Sequence, residues 1–542
     1  MGDADTRDAE VDDSRIRALE QELSSPRPHP IARFVSWGES YVLVRFVLLR
    51  LLGLVYLVAF LVTLLQFRPL IGSDGLEPAG LFLQRVRTYF GLGRAVWKLP
   101  TLFWIDSSDR AIAVVACVGA ALALAVLVGV TNAAVMFVLW TLYFSILHIG
   151  QTFYGYGWEM QLCETGFIAI FLCPLATIGP FRARAPPPII ILLFRWLIFR
   201  IMLGAGLIKL RGDLCWKNLT CLQYHWETQP IPNPISWLLN AAPAWFDKVG
   251  TAVNHLVEVG APWLAFGPRR ARIIAGCLFI GFQSFLILSG NLSFLNWLTI
   301  VPALACFDDR ALIRVVPRRA RLRVAARFGL DEEGRPTEAL LPPTKWHRGA
   351  AWGYALVVGF LSMNPIVNLT SSRQAMNTSF DPLDLVNTYG AFGSVNRRRY
   401  EVVIEGTSDP QIDAHTQWKE YEFPCKPGDP ERAPCFISPY HERLDWQMWF
   451  AAFSPLRSQP WIVHLAAKLL EGDRLIDTLL ARDPFPDKPP VWVRAQLYRY
   501  RFTRPGDGKA WWQRTLVGPY LPPLKRDSPA LGSFMRQHGW TH

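Results

Sequence analysis

Long apolar runs separated by short polar segments dominate the first two thirds of the chain. The run at 41–66, YVLVRFVLLRLLGLVYLVAFLVTLLQ, contains no acidic residue. An α-helix needs about 20 such residues to cross the hydrocarbon core of a bilayer. The same pattern predicts nine membrane spans, of which the one at 251–267 has the weakest signal: 41–66, 111–130, 133–150, 162–180, 189–208, 251–267, 272–289, 292–307 and 349–366.

The pattern changes near residue 367. YEVVIEGT at 400–407 and WVRAQLYRYRF at 492–502 alternate apolar and polar positions, as half-buried strands do. LDWQMWFAAF and WIVHLAAKLL have the spacing of amphipathic helices. The predicted fold is therefore an α-helical polytopic membrane protein, with a helical domain at 41–366 and a C-terminal extramembrane α+β domain at 367–542.

Charge distribution predicts the orientation. The chain is 51% hydrophobic and 18% charged, and its net charge of +12 comes largely from arginines in short loops. Loops rich in Lys and Arg favour the cytosolic side, so this charge requires no nucleic-acid partner. We expect a flexible cytosolic tail at 1–40, a basic cytosolic loop at 308–347, and a loop at 209–250 on the lumenal or periplasmic side with the C-terminal domain.

Ionisable residues cluster where the span at 189–208 meets the next loop. Lys209, Arg211 and Asp213 lie there, and Glu159 and Glu164 begin the span at 162–180 on the same predicted side. Charged groups within a membrane are costly unless they are paired. We therefore predict a buried charged centre in which a carboxylate of Glu159 or Glu164 meets Lys209. Two interpretations stay open: pairing that fixes helix packing, or a lysine general base whose pKa is lowered by burial.

The motifs typical of metal-binding and nucleotide-binding sites are absent from the sequence. Five side chains raise the question of a metal site, and only His255 and Glu258 have the i,i+3 spacing of one helix face; the five are His148, His225, Glu227, His255 and Glu258. HExxH, CxxC, GxGxxG, GxxxxGK[ST] and GxSxG are all absent. The sequence predicts no metal, no cofactor and no serine lipase activity.

Four cysteines lie outside the predicted spans. On an oxidising face, Cys215 with Cys221 and Cys425 with Cys435 are expected to form disulfides, the second closing a loop rich in Pro and Gly. Neither spacing is that of a catalytic CxxC dithiol. Sequons on the same side predict glycosylation at Asn218, Asn368 and Asn377.

Long and unusual strings carry a resemblance to a known family. They are GAGLIKLRGDLCWKNLTC, HWETQPIPNP, GYGWEMQLCETGFIAIFLCPL, GNLSFLNWLTIVPALACFDD, LVNTYGAFGS and YEFPCKPGDPERAPCFISPYHERLDWQMWFAAF. These strings resemble the lipase maturation factors, membrane proteins of the endoplasmic reticulum that bring secreted lipases to an active state. The resemblance covers most of the chain between about 51 and 523, except the segment near 310–345. It implies a multi-pass protein of that membrane, or of the inner membrane in a bacterial source.

The resemblance also implies a function. The chain would act without catalysis, as a folding or assembly chaperone for secreted homodimeric lipases of the lipoprotein lipase kind. Tyr440, Trp446, Trp449 and Phe450 are the predicted client contacts, although each could instead pack the domain core.

Two other functions stay open. A membrane enzyme could use Lys209 as its base, because GLIKL followed by a tryptophan is also similar to the transmembrane domain of the vitamin-K-dependent carboxylase. A transporter is the other, although no internal repeat supports it. An enzyme needs a closed polar pocket around Lys209, whereas a chaperone needs an exposed apolar surface on the outer domain.

Overall fold

The computed structural model describes residues 39–174 and 184–540. The predicted tail at 1–40 therefore lies almost entirely outside the described residues. The end of the predicted span at 162–180 lies outside them as well.

Among the described residues from 42 to 370, every element assigned as a helix or a strand is a helix. A π-helical turn at Leu256–Gly260 joins the eleventh helix to the twelfth. The helices are α1 (Val42–Ile71), α2 (Ala79–Phe90), α3 (Leu92–Lys98), α4 (Asp109–Val128), α5 (Ala133–Ile149), α6 (Gly157–Leu172), α7 (Pro188–Arg211), α8 (Leu214–Lys217), α9 (Leu222–Thr228), α10 (Pro234–Asn240), α11 (Ala244–His255), α12 (Ala261–Leu264), α13 (Arg269–Ser289), α14 (Leu295–Ala303), α15 (Asp309–Leu312), α16 (Arg318–Arg327), α17 (Lys345–Leu361) and α18 (Met363–Thr370).

Five helical stretches among the described residues are long and apolar enough to cross a membrane: α1, α4, α7, α13 and the pair α17–α18. α5 and α14 are apolar but shorter. The structure confirms a polytopic helical protein, but it does not confirm the predicted count of nine. The remaining predicted spans fall on α6, which has only 16 residues, and on the amphipathic stretch formed by α11 and α12.

Contacts at the two ends of α1 define two ends of the helical bundle. At its start, the backbone N–H groups of Val42, Leu43 and Val44 donate to the Asp309 carboxylate at 2.7, 2.8 and 3.0 Å. Gln66, about 36 Å further along the helix at 1.5 Å per residue, donates to the carbonyl oxygen of His441 at 2.7 Å. We name these the arginine end, after the basic segment beside Asp309, and the domain end, where the C-terminal residues pack.

The C-terminal part contains the predicted strands. A four-stranded antiparallel sheet has the order β4-β3-β5-β6, and a short pair β1-β2 precedes it. The strands predicted at 400–407 and 492–502 are confirmed as β3 and β5, with Tyr400 opposite Arg499. The elements are β1 (Thr378–Ser379), β2 (Asn387–Thr388), β3 (Arg399–Thr407), β4 (Lys419–Glu420), α19 (Arg443–Ala451), α20 (Pro460–Glu471), α21 (Arg474–Asp477), β5 (Trp492–Phe502), β6 (Trp512–Lys525) and α22 (Pro529–Gln537).

The hydrophobic core is shared between the bundle and the C-terminal part. α19 packs on β3, and α20 packs on β5 and β6. The rings of Phe153 and Trp461 meet at 5.8 Å between centroids, so the core continues from the loop before α6 into α20. This continuity places the C-terminal strands and helices firmly against the domain end.

Candidate functional site

Lys209 lies in the last turn of α7 and is only 4% exposed. Its Nζ donates to both carboxylate oxygens of Glu258, at 2.5 and 2.6 Å, and to Oδ1 of Asn254 at 3.3 Å. The ring of Trp216 lies 5.1 Å from the same Nζ. The ammonium therefore has a full set of acceptors and an aromatic neighbour, and it is closed off from solvent.

A glycine allows this close approach. A Cβ at Gly206 would lie 3.0 Å from the Cβ of Glu258 and 2.6 Å from Val259. α7 and the π-helical turn can therefore meet only where this side chain is absent. Glu258, which the sequence offered only as a metal candidate, is the partner of Lys209, and the predicted pairing with Glu159 or Glu164 is wrong.

Glu164 belongs to a separate network. It is buried beside Arg200 and forms a salt bridge with that guanidinium. It also accepts from the backbone N–H of Asn387 at 3.0 Å and from the hydroxyl of Tyr389 at 2.6 Å. Arg200 in turn donates to the carbonyl oxygen of Asn387 at 2.6 Å. A charged pair in the bundle thus holds the segment around β2.

Glu159 pairs with a residue nearly 300 positions away. Arg443, at the start of α19, donates to Glu159 at 2.8 Å and to the carbonyl oxygen of Phe153 at 2.7 Å. Its guanidinium lies 3.5 Å from the ring centroid of Tyr154, and Tyr143 donates to Glu159 from the other side. Both charged groups are fully buried. This pair fastens α19 to the domain end.

The predicted charged centre is therefore divided among several partners. Five positions along a helix turn it by about 140° beyond a full turn, so Glu159 and Glu164 face different neighbours. Asp213 pairs with Arg397 at 2.8 Å. Arg211 donates to Gln374 at 2.7 Å and to the Leu369 carbonyl oxygen at 2.8 Å. The contacts of Asp213 with Arg397 and of Arg211 with Gln374 join the bundle to the chain that follows α18.

Both predicted cysteine pairs are disulfide-bonded. The Cα atoms are 4.8 Å apart for Cys215–Cys221 and 5.4 Å apart for Cys425–Cys435, within the usual range. The carbonyl oxygen of Cys435 accepts from the side chain of Asn291 at 2.9 Å. The second disulfide loop is thus held directly against the turn between α13 and α14.

Two of the predicted client contacts are engaged inside the protein. Trp446 is buried among aromatic rings, 5.0 Å from Trp158 and 5.7 Å from His441 between centroids. Its assignment to a client is therefore wrong, because α19 turns that face inward. Tyr440 is half-buried, and its hydroxyl accepts from Gln66 at 3.0 Å.

The other two predicted contacts belong to a surface cluster. Trp449 and Phe450 are half-buried, and Phe453 next to them is 46% exposed. Their ring centroids are 4.9 Å (449–450), 4.7 Å (449–453) and 5.8 Å (450–453) apart. The indole of Trp449 donates to the carbonyl oxygen of Thr228 at 3.1 Å. We name these three side chains the aromatic ridge. Phe453 follows Phe450 by three positions and Trp449 by four, a helical spacing that already marks it in the sequence as a neighbour of both.

The three sequons differ in accessibility. Asn218 and Asn377 are exposed. Asn368 is buried, and its amide donates to the carbonyl oxygen and accepts from the N–H of Ala375 at 2.9 and 2.8 Å. The predicted glycan at Asn368 therefore conflicts with the folded structure.

The histidines considered for a metal have other neighbours. His225 packs on Phe392 at 5.1 Å between rings, and burial, with Lys209 nearby, lowers the pKa of His225 to about 4. A ring nitrogen of His255 lies 3.0 Å from the Trp216 carbonyl oxygen. Glu227 accepts from the backbone N–H of Phe502 at 2.9 Å. Within 39–174 and 184–540, no three His, Cys, Asp or Glu side chains converge on a possible metal position.

Comparison with known proteins matches most of the chain to one family. Residues 43–314 match the family model described as lipase maturation factor transmembrane domain, and residues 385–522 match lipase maturation factor C-terminal domain. The chain is 47% identical to lipase maturation factor 1 of Bos taurus over 521 residues, covering 93% of this chain and 92% of the relative. For Homo sapiens the identity is 46%, with 92% and 91% covered. Lipase maturation factor 2 of Mus musculus is 31% identical, with 90% and 83% covered. No solved structure matches this chain.

Proposed function

We propose, from the premise that this chain belongs to the lipase maturation factor family, that it is a membrane-bound folding and assembly factor for a secreted homodimeric lipase. In this role the protein assists lipase folding without catalysing a chemical reaction. The observation that carries this proposal is the aromatic ridge, in which Phe453 is exposed. The domain that bears it is attached to the bundle by the buried salt bridge between Arg443 and Glu159.

The surroundings of Lys209 favour a structural role over catalysis. A general base must lie within hydrogen-bond reach of the proton that it abstracts, and a lysine closed off from solvent by contact with a carboxylate does not. Glu258 supplies that contact through both oxygens. Lys209 then fixes α7 against the π-helical turn, and the enzyme alternative loses its candidate base.

The aromatic ridge suits a folding client. A partly folded lipase exposes apolar surface that is prone to aggregation until its core and dimer contacts form. Aromatic side chains are enriched among the few residues that dominate protein interfaces. The hydrogen bond of Trp449 and the ring contacts within the ridge present Phe453 on a rigid base.

A charge at the centre of the aromatic ridge tests this proposal. Phe453→Asp is expected to lower the activity of a co-expressed homodimeric secreted lipase about tenfold in cells lacking their own maturation factor, because losing one interface anchor costs about 1–2 kcal/mol. Ile412→Asp is the matched control, since Ile412 is a similarly exposed apolar residue of the same domain. Normal lipase activity with equal amounts of Phe453→Asp would contradict the proposal.

We further propose an orientation. The arginine end faces the cytosol, as Lys- and Arg-rich loops favour, and the C-terminal domain faces the lumen of the endoplasmic reticulum. In this arrangement the shorter helices α5, α6 and α14, and the stretch α11–α12, also pass through the membrane. Val253, Leu256 and Trp263 on α11–α12 expose an apolar face that would meet lipid, while Glu258 faces Lys209.

Cysteine labelling tests this orientation. Glu332 and Ser408 are both exposed, and among described helices only α17–α18 between them is long enough to cross a bilayer. In sealed microsomes, Glu332→Cys is expected to react with an impermeant maleimide, whereas Ser408→Cys reacts only after permeabilisation. Reaction of both sites before permeabilisation would rule out a crossing by α17–α18.

A further inference from the structure

A strongly basic segment at the arginine end has no role in the lipase proposal. Residues 310–327, here called the arginine segment, contain seven arginines and no acidic residue. From residue 315 onward it lies outside both matched family regions, 43–314 and 385–522. Its exposed arginines are Arg314, Arg318, Arg319, Arg323 and Arg327.

The arginine segment is held at the level where α1 begins. Ile313, Ala325 and Phe328 form a small hydrophobic cluster with Val42 and Leu43. The rings of Phe46 and Phe328 meet edge to face, with 5.1 Å between centroids. α16 is therefore packed on the end of a membrane-spanning helix, beside the plane in which lipid headgroups lie.

All five of these arginines lack a carboxylate partner within the part of the chain that the structure describes. No salt bridge there involves Arg314, Arg318, Arg319, Arg323 or Arg327. Of the four acidic residues at 331–338, Glu333 pairs with Arg335 at 2.6 Å and Asp331 accepts from the Arg335 N–H at 2.8 Å. The other two, Glu332 and Glu338, are exposed and do not pair with the arginine segment. Among the described residues, the arginine segment thus presents positive charge that no ion pair compensates.

Large apolar side chains are exposed among these charges. Val315 is 82% exposed and Leu322 60% exposed. Trp346, 86% exposed, lies at the first turn of α17, which starts at the same end. Exposed apolar groups flanked by arginines are typical of helices that lie in the membrane interface, and tryptophan favours that depth.

We propose that the arginine segment lies on the bilayer surface and binds the headgroups of acidic phospholipids. Guanidinium groups pair with phosphate through two parallel hydrogen bonds, and each basic side chain near an acidic leaflet adds to the attraction. Val315 and Leu322 would enter the acyl-chain boundary between these contacts. The lipid-binding proposal rests on membrane insertion and not on the lipase role. The lipid-binding proposal and the lipase proposal can therefore fail independently.

Spin-labelled lipids test the proposal on the full chain. In vesicles of phosphatidylcholine with phosphatidylserine, the lipids immobilised by the protein are expected to favour spin-labelled phosphatidylserine over phosphatidylcholine about threefold. The ratio of immobilised phosphatidylserine to phosphatidylcholine is expected to fall to about one in R318Q/R319Q/R323Q, which removes three of the charges. The same fall is expected for the parent at high salt, because salt screens exposed charges. The control R457Q/R474Q/R504Q removes three exposed arginines from the C-terminal domain and is expected to keep the preference.

Three outcomes would overturn the proposal. The first is an unchanged preference in R318Q/R319Q/R323Q, and the second is an equal loss in the control. The third concerns the acidic residues of the chain's own N-terminus, which include Asp3, Asp5, Asp8, Glu10 and Asp12. If the preference for phosphatidylserine appears only after residues 2–24 are deleted, those residues and not lipid occupy the arginines in the intact protein.

Discussion

Replacement of Arg443 by methionine is expected to lower the free energy of unfolding by about 3–5 kcal/mol, because it leaves a buried carboxylate without its counter-charge. Among its described contacts, Glu159 would keep only the hydroxyl of Tyr143 as a donor. The carbonyl oxygen of Phe153 would also lose its partner. Since Arg443 begins α19, the effect should appear as loose docking of the C-terminal domain, measured by thermal unfolding and by the monodisperse fraction in detergent.

A second substitution separates charge from packing. Arg443→Met with Glu159→Gln is expected to recover part of the lost stability, because a neutral amide replaces the uncompensated carboxylate. Arg457→Met, on an exposed side chain of the same domain, is the control and should leave unfolding unchanged. An Arg443→Met protein as stable as the parent would contradict the assignment.

Replacement of Lys209 by methionine is expected to reduce the amount of folded protein, again by about 3–5 kcal/mol of stability. Glu258 would lose the ammonium and keep only the side-chain amide of Asn254 as a donor among its described contacts. Lys209→Met with Glu258→Gln should recover part of the loss. Lys209→Met with Glu164→Gln should not, because Glu164 pairs with Arg200.

Protein amount and lipase maturation must be measured together for this series. A structural Lys209 predicts that the two fall and recover in parallel. Full amounts of Lys209→Met protein with abolished maturation would instead support the catalytic base. The double variant with Glu258→Gln decides between them, because removing the carboxylate cannot restore a missing base.

The fold class and much of the C-terminal sheet could be predicted from the sequence. Apolar runs and alternating strands are local patterns, and β3 and β5 lie where the alternation placed them. The partner of Lys209 was not predictable in this way, because helix pairing is a tertiary property. The weak pattern at 251–267 gave no reason to place Glu258 on a π-helical turn against Gly206.

The aromatic residues show the same limit. Trp446 and Trp449 lie three positions apart in one helix, yet Trp446 is buried against Trp158 and Trp449 reaches the surface at the aromatic ridge. Residue type cannot separate the two, because tryptophan fills both cores and interfaces. The salt bridge of Arg443 with Glu159 sets which face of α19 turns inward, and no local pattern reports it.

Capture of newly made lipase by the full-length protein tests the central claim most directly. The tagged chain, its Phe453→Asp variant and its Ile412→Asp control would be expressed with a pulse-labelled homodimeric secreted lipase and purified in mild detergent. A client site on the aromatic ridge predicts that Phe453→Asp retains about a tenth of the lipase held by the parent, as loss of an interface anchor implies, while Ile412→Asp retains all of it. Equal capture by all three proteins would contradict the claim that the aromatic ridge binds the client.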